Sequence, residues 1–301
     1  MKNNSEPKLR VVIPTFNRAD DLYDCLKSLE NAGIQREQII VVDNNSQDKT
    51  KKRIEQFFPE ITLIALNKNM GATGASNIGF KQALDQGVDF VLRLDSDTVV
   101  AAELMDILLT YTNADPRIGI LTPKIYYYEP PDEIWYAGAD AHPWHFGSIH
   151  GHRHEKDAPQ NSQPKEVDYA WGAAMLIKAE ALQKTGGFDN DFFVYYEEVD
   201  FCKRVQNFGY KIWYVPDAKV WHKVGSSANN AWTAYHWNRS KMLLYRKHAK
   251  NDLHRLLLIL YAFAYALFSP IIKGKSGNRG PLKETFEGLV DGLKNMENED
   301  H

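Results

Sequence analysis

The chain is poor in cysteine, in any excess of one charge, and in long apolar runs. Its 301 residues hold two cysteines, Cys25 and Cys202, far apart and within helical patterns. That excludes a disulfide framework and fits a reducing compartment. Lys and Arg number 36 against 39 Asp and Glu, a net charge of −3, so nucleic acid is not an expected partner. The first eight residues are polar, and a secretory leader is not expected. Residues 14–19 (PTFNRA), after the first strand pattern, contain no glycine. This excludes the G-x-G-x-x-G turn of dinucleotide-binding enzymes, and a P-loop is missing as well. What remains is a globular composition, 44% hydrophobic and 25% charged, long enough for one large domain or two smaller ones. Aromatic residues are plentiful between 126 and 237, a distribution that fits sugar stacking and plain core alike.

Residues 89–98 (DFVLRLDSDT) carry the first chemical signal. The run 91–94 suits a buried strand, and unpaired acids at its end would be costly inside a core. Asp95 and Asp97 therefore fit a crevice at the strand's carboxyl end. Hard oxygen donors there suit Mg2+ or Mn2+, with ligand phosphates completing the shell. Taken alone, the pair fits an Asp-rich turn equally well.

Strand and helix patterns alternate around it. Residues 9–13 (LRVVI), 39–42 and 61–66 read as strands. Helices fit 20–32, 48–58 and the stretch after Gly71 that holds Asn77, Phe80 and Leu84. Such units predict a mostly parallel α/β sheet covered on both faces, with ligands beyond the carboxyl ends of the strands. Four successive strand ends carry residues suited to phosphate or metal: Thr15/Asn17/Arg18, Asp43/Asn45, Asn69/Gly71 and Asp95/Asp97. One such end is a turn; four in series describe a site. Gly71-x-x-Gly74 opens a helix and fits either approach to a phosphate or a plain glycine turn.

The middle is less regular. A helix over 103–112 and a strand over 118–123 precede the aromatic run 126–128 and five histidines: His142, His145, His150, His152 and His154. Without cysteine partners and at irregular spacing, these read as a loop near the substrate rather than a zinc site. Residues 167–178 form a strand pattern broken at Trp171-Gly172, and a glycine there marks close approach of backbone to a ligand. A short helix over 179–185 ends at Gly186-Gly187. The cluster 195–200 (YYEEVD) then opens a helix running to Gly209. The helix dipole and an i, i+4 pair with Arg204 account for Asp200. They account less well for Glu197 and Glu198 beside aromatics. A strand at 211–215 and Val220-Trp221-His222 close the region.

These residues resemble a known family. The stretches 9–18 (LRVVIPTFNR), 41–50 (VVDNNSQDKT), 67–80 and 92–98 resemble inverting family 2 glycosyltransferases of GT-A fold. Residues 171–176 and 186–222 resemble the branch of rhamnosyl- and galactofuranosyltransferases. The likeness runs in order from about residue 9 to 226. It implies a Rossmann-like α/β GT-A domain over 1–226, with a nucleotide-sugar half to about residue 100 and an acceptor half over 101–226. Thr15, Asn17, Arg18, Asp43 and Asn45 are the implied nucleoside pocket, completed by Asn69, Gly71 and Asn77. Asp95, which also belongs to that pocket, and Asp97 are the implied holders of Mg2+ or Mn2+ on the donor diphosphate, with His222 as a further ligand. Glu198 is the implied general base, and Trp171, Gly172 and Asp200 face the acceptor. The commoner family pattern is Glu-Asp where this chain has Glu197-Glu198, so the choice between the two glutamates stays open. The implied reaction moves a sugar to a saccharide hydroxyl in cell-surface glycan assembly, with dTDP-rhamnose the leading donor and UDP-sugars next. Two other readings stand beside it. A sugar-1-phosphate nucleotidyltransferase would want a glycine- and basic-rich loop at 14–19. A non-catalytic carbohydrate- or nucleotide-binding protein would not need Asp97 or the glutamate pair.

Beyond residue 226 the chain changes character. Residues 227–301 are expected to be helical: 231–248, rich in Trp, Tyr and basic residues; 256–272 (LLLILYAFAYALFSPII), without charge; and 286–293. Basic residues flank the uncharged run, His248, Lys250 and Arg255 before it and Lys273, Lys275 and Arg279 after it. A spanning helix wants about 20 apolar residues. This run falls short and meets Pro270, so it is expected to lie in, or partly insert into, an anionic leaflet. A buried helix, or one joining two copies in a homodimer, is the alternative. The expected setting is cytoplasmic, peripheral on the inner face of the cell membrane, where a lipid-linked saccharide would be presented.

Overall fold

The computed structural model describes residues 7–146, 148–150, 154–224, 230–272 and 281–297. Strand–helix units build its first half. β1 (Leu9–Thr15), β2 (Ile39–Asp43), β3 (Thr62–Ala65) and β4 (Phe90–Leu94) pair in parallel, in the order β4-β1-β2-β3. Val11, Val12 and Ile13 are fully buried, as are Ile39 to Val42, which is why these strands read as continuous apolar runs. α1 (Ala19–Asn31), α2 (Thr50–Phe57) and α3 (Gly71–Leu84) connect them. α1 buries Leu22, Cys25, Leu26 and Leu29, one face at helical spacing. α3 rests so close to the sheet that a Cβ at Gly79 would come 2.3 Å from Val12.

After β4 come β5 (Thr98–Val100), α4 (Leu104–Tyr111), β6 (Ile118–Tyr127), β7 (Ile134–Tyr136), β8 (Ala139–Ala141) and β9 (Ser148–His150). β10 (Lys165–Val167), β11 (Ala174–Lys178), α5 (Ala179–Thr185), α6 (Glu197–Asn207) and β12 (Lys211–His222) complete the body. β11 runs antiparallel between β4 and β6, and β12 lies parallel to β6. One sheet therefore continues in the order β10-β12-β6-β11-β4-β1-β2-β3, with β5 on β12 and β7 on β6 at its margins. The parallel arrangement expected from the alternation holds through β4. Beyond it the sheet is mixed, because β11 enters against its neighbours. The strand pattern that stops at 215 and resumes at 220 is one strand. A register shift between Val215 and Lys219 lets β12 bend and carry His222 opposite Thr98.

α7 (Asn230–His248), α8 (Asp252–Ile272) and α9 (Leu282–Glu297) follow. α7 is tied to the body: Ser240 donates to the Val194 carbonyl, Arg246 pairs with Asp191 at 3.0 Å, and His248 meets Asp200 at 2.8 Å. His152, the expected boundary at 226/227, and Lys273, Lys275 and Arg279 lie outside the described residues. Among the described residues, no helix is long and apolar enough to cross a membrane.

Candidate active site

The carboxyl end of β4 turns through Asp95-Ser96-Asp97 into β5, and β5 pairs with the end of β12. His222 Nε2 thereby lies 3.1 Å from Asp97 Oδ1. One ligand atom each from Asp95, Asp97 and His222 come within 4.8 Å of one another, the only such group among the described residues. Two arginines share the acids: Arg93 reaches Asp95 Oδ1 at 2.6 Å, and Arg18 lies 3.5 Å from Asp97 Oδ2. Burial opposes charge on Asp97, but His222 and Arg18 outweigh it and hold the carboxyl below its ordinary value. Burial also opposes charge on His222. The hydrogen bond to Asp97 and the field of both aspartates outweigh it and raise the imidazole. Two carboxylates and one imidazole fit a divalent cation such as Mn2+ or Mg2+. Of the histidines in the loop, His142 and His145 stack on each other at 3.9 Å and His154 stacks on Tyr127 at 4.8 Å.

A cavity of about 580 Å³ lies beyond the ends of β1, β2 and β4. From the expected set it is lined by Thr15, Asn17, Arg18, Asn69, Gly71, Asp95 and Asp97. Asp43, Asn45 and Asn77 are not in its wall. Asp43 is buried, and its carboxylate accepts the Ser46 backbone N–H. Asn45 takes φ +67 in the turn after β2. Asn77 bonds the Phe188 backbone and the Asn190 side chain instead. The residue that faces the cavity is Asn44, whose side chain also bridges Met70 N and Gly71 O. β2 ends at Asp43, so no strand period remains from which to choose among 43–45. Phe193, Tyr195 and Trp232 close the cavity from far along the chain. Gly71 permits that closure: it has φ +74, and a Cβ there would meet the Phe193 carbonyl oxygen at 2.1 Å.

A second cavity, of about 350 Å³, shares Asp95, Tyr195 and His222 with the first. Glu197, Glu198, Trp171, Gly172 and Trp237 are in its wall. Tyr195 and Tyr196 both take φ +66, a left-handed conformation that costs about 1–2 kcal/mol per non-glycine residue. The two turn the chain sharply into α6, whose first residues are the glutamates. Glu197 and Glu198 are only 5% and 9% exposed, and Oε2 of each has no hydrogen-bond partner among the described residues. Burial raises the Glu197 carboxyl to about 7 even though Arg93 partly offsets it. Glu198 stands well above its ordinary value, through burial first and the charge of Glu197 second.

The sequence matches the profile of the family described as "Glycosyl transferase family 2" over residues 10–186. The chain belongs to that family. It is 29% identical over 237 residues to N-acetylglucosaminyl-diphospho-decaprenol L-rhamnosyltransferase of Mycobacterium tuberculosis, covering 71% of this chain and 75% of the relative. It is 23% identical over 274 residues to the dTDP-rhamnosyl transferase RfbF of Shigella flexneri, covering 86% of each. Among solved structures, GalNAc-T7 with UDP, GalNAc and Mn2+ superposes with a TM-score of 0.61 at 15% identity, over 97% of this chain and 55% of that one. The mannosyltransferase PcManGT from Pyrobaculum calidifontis, in complex with GDP-Man and Mn2+, gives 0.57 at 16% identity over 98% and 89%. The fold is the GT-A fold.

Three features of this glycosyltransferase's site differ from the sequence reading. Arg93 lies outside the residues that the sequence pattern points to. It is 2% exposed, lines the smaller cavity, donates to the Gly172 carbonyl and pairs with Asp95, so it ties the Trp171-Gly172 turn to the acid cluster. Its only signal is a charge inside an apolar strand. Trp237 and Trp232 arrive from α7, outside the expected catalytic stretch. Asp200, expected to face the acceptor, is 1% exposed and held by Arg204 at 2.7 Å and His248 at 2.8 Å. It lines neither cavity.

Proposed function

We propose that this chain is a metal-dependent, inverting glycosyltransferase, with its catalytic domain over 1–226 and a helical segment after it. The observation that carries this reading is the shared wall. Asp95, Tyr195 and His222 border both cavities, with the acid cluster on one side and the buried glutamate pair on the other. The larger cavity takes the nucleotide sugar. Thr15, Asn17, Arg18, Asn69 and Gly71 line its nucleoside end, while Asp43, Asn45 and Asn77 shape the loops behind it. Asp95, Asp97 and His222 would hold Mn2+ or Mg2+, which would supply Lewis-acid charge for the diphosphate of the donor. Arg18 adds positive charge on the same side.

The smaller cavity takes the acceptor saccharide, with Trp171 and Trp237 offering flat faces and Gly172 leaving room. Glu198 accepts the proton of the attacking hydroxyl as the new bond to the anomeric carbon forms and the carbon–phosphate oxygen bond breaks. Attack from the face opposite the leaving group inverts the configuration, through a transition state of oxocarbenium character. Burial raises both carboxyls, and the charge of Arg93 opposes the shift in each.

The donor is dTDP-rhamnose, with UDP-sugars second. Two relatives are rhamnosyltransferases, one of them named for dTDP. The acceptor is a lipid-linked saccharide presented at the inner face of the cell membrane during cell-surface glycan assembly, since one relative is named for a diphospho-decaprenol acceptor. Screening nucleotide sugars for hydrolysis and thermal stabilisation, with and without Mn2+, tests the whole. The expected result is stabilisation by dTDP-rhamnose that requires Mn2+. No response to any nucleotide sugar would overturn the reading.

A further inference from the structure

α8 is apolar on its outer side as well as its inner one. His254, Leu258, Ala262 and Ala266, every fourth residue, are buried against the rest of the chain. Leu253, Leu256, Leu257, Leu260, Leu267 and Phe268 are between 42% and 66% exposed. A helix apolar all round is normally covered, and a contiguous apolar patch of this kind marks an interaction surface.

The loop 142–146 runs along this helix. The Trp144 ring lies 5.2 Å from Tyr261, and His254 Nε2 meets the Trp144 carbonyl oxygen at 2.8 Å. Trp144 is itself 37% exposed. The same loop, through His142, Pro143 and Phe146, walls a separate cavity of about 240 Å³ that also holds Lys203 and Lys250. Lys203 is half-buried with its ammonium 4.7 Å over the Phe146 ring, and Lys250 stands in the connection into α8. Neither lysine has a carboxylate within ion-pairing distance among the described residues. Asp168, the one acid in the wall, accepts the Ala141 backbone N–H at 2.8 Å. Burial holds the Lys203 ammonium below its ordinary value, with Asp168 opposing the shift and Lys250 adding to it. Two cations kept together against one acid leave room for an anion.

We propose that the Lys203–Lys250 cavity binds the phosphate of a membrane phospholipid while α8 and Trp144 lie in the plane of that leaflet. A phospholipid supplies both parts that the surface lacks, an anionic head for the lysines and apolar chains for the leucines. A second copy of the chain packed on α8 would cover the leucines and leave the lysines without a counter-charge. α8 is not long and apolar enough to cross, so it lies along the surface. The inference rests on the reading of a membrane-presented acceptor, but its test does not depend on transfer.

Co-sedimentation of the full chain with vesicles, of phosphatidylcholine alone or with phosphatidylglycerol added, is the experiment. The wild-type chain is expected to favour the anionic vesicles. Exchanging Leu253, Leu256 and Leu260 together for Gln should cut partition to both kinds more than about tenfold. Lys203→Gln with Lys250→Gln should cut the preference for anionic vesicles roughly tenfold to thirtyfold and leave binding to phosphatidylcholine in place. Hydrolysis of the donor in vesicle-free buffer should be unchanged in both variants. Lost vesicle binding with intact donor turnover thus separates this surface from the glycosyltransferase site. A wild-type chain that ignores both vesicles would overturn the proposal, as would lysine variants that keep the anionic preference. So would a solution dimer, seen by light scattering, that the leucine variant dissolves.

Discussion

His222 Nε2 sits 3.1 Å from Asp97 Oδ1, although 125 residues separate them along the chain. The bend in β12 makes this contact, and the T-shaped packing of His222 on Trp135 at 5.7 Å fixes the ring. Replacing His222 by Ala removes one of three candidate metal donors. The expected result is a Mn2+ requirement raised at least about tenfold. Chelation by EDTA should abolish transfer by the wild-type chain, and added Mn2+ should restore it. Transfer measured against Mn2+ concentration checks both; an unchanged Mn2+ response in the variant would remove His222 from the metal set.

Glu198→Gln keeps the shape of the side chain and removes its ability to accept a proton. Transfer is expected to fall by about 10²–10⁴-fold, the span of a lost general base. Donor binding, read as the Mn2+-dependent thermal shift with the nucleotide sugar, should stay as in the wild type. Glu197→Gln should cost less if Glu198 is the proton acceptor. If instead Glu197→Gln is the dead variant and Glu198→Gln turns over, the two roles are exchanged.

Much of this was readable from the residues because each strand of the first half is a closed apolar run ending in polar groups. Thr15, Asn17, Arg18 and Asp95 follow from that rule, and all four line the larger cavity. What the chain order conceals is what arrives from elsewhere. Trp232 and Trp237 lie on a helix whose rings look like core by spacing alone, and ties of α7 to the body, among them those to Asp191, Val194 and Asp200, carry them to the cavities. Arg93 is hidden for the opposite reason: a lone charge inside an apolar strand gives no hint of its partner, Gly172, which lies 79 residues away. Asp200 shows the plain account winning, since its helix neighbour Arg204 is its partner in space.

The buried glutamates should also cost stability, with a definite sign. Burial raises the Glu197 carboxyl from 4.5 to about 7, so between those values the unfolded chain releases a proton that the folded chain keeps. Stability therefore falls as pH rises through this window, and the penalty is full above about 7. Glu197→Gln removes it. Relative to the wild type, the variant should gain on the order of 1–3 kcal/mol above that pH and little at the acid end of the window. Thermal unfolding of both proteins across pH is the measurement. A difference that does not change with pH would show that the carboxylate is paid for locally. Transfer, which needs Glu198 ionised, should climb with pH only above the ordinary carboxylate range, because burial and the charge of Glu197 raise that carboxyl.

Trp237 offers the sharpest test of the smaller cavity. Its ring packs 5.2 Å from Tyr195 and 4.9 Å from Tyr196, the two strained residues that lead into the glutamates, and it also forms part of the cavity wall. If the acceptor sugar lies against it, Trp237→Ala should raise KM for the acceptor by about tenfold, the worth of one lost aromatic face. Trp237→Phe, which keeps a flat ring, should recover most of that loss. Hydrolysis of the donor without acceptor should be nearly unchanged in both, because the larger cavity does not include this residue. A fall in donor hydrolysis as large as the loss in acceptor use would mean that Trp237 holds the tyrosines and α6 in place rather than the sugar.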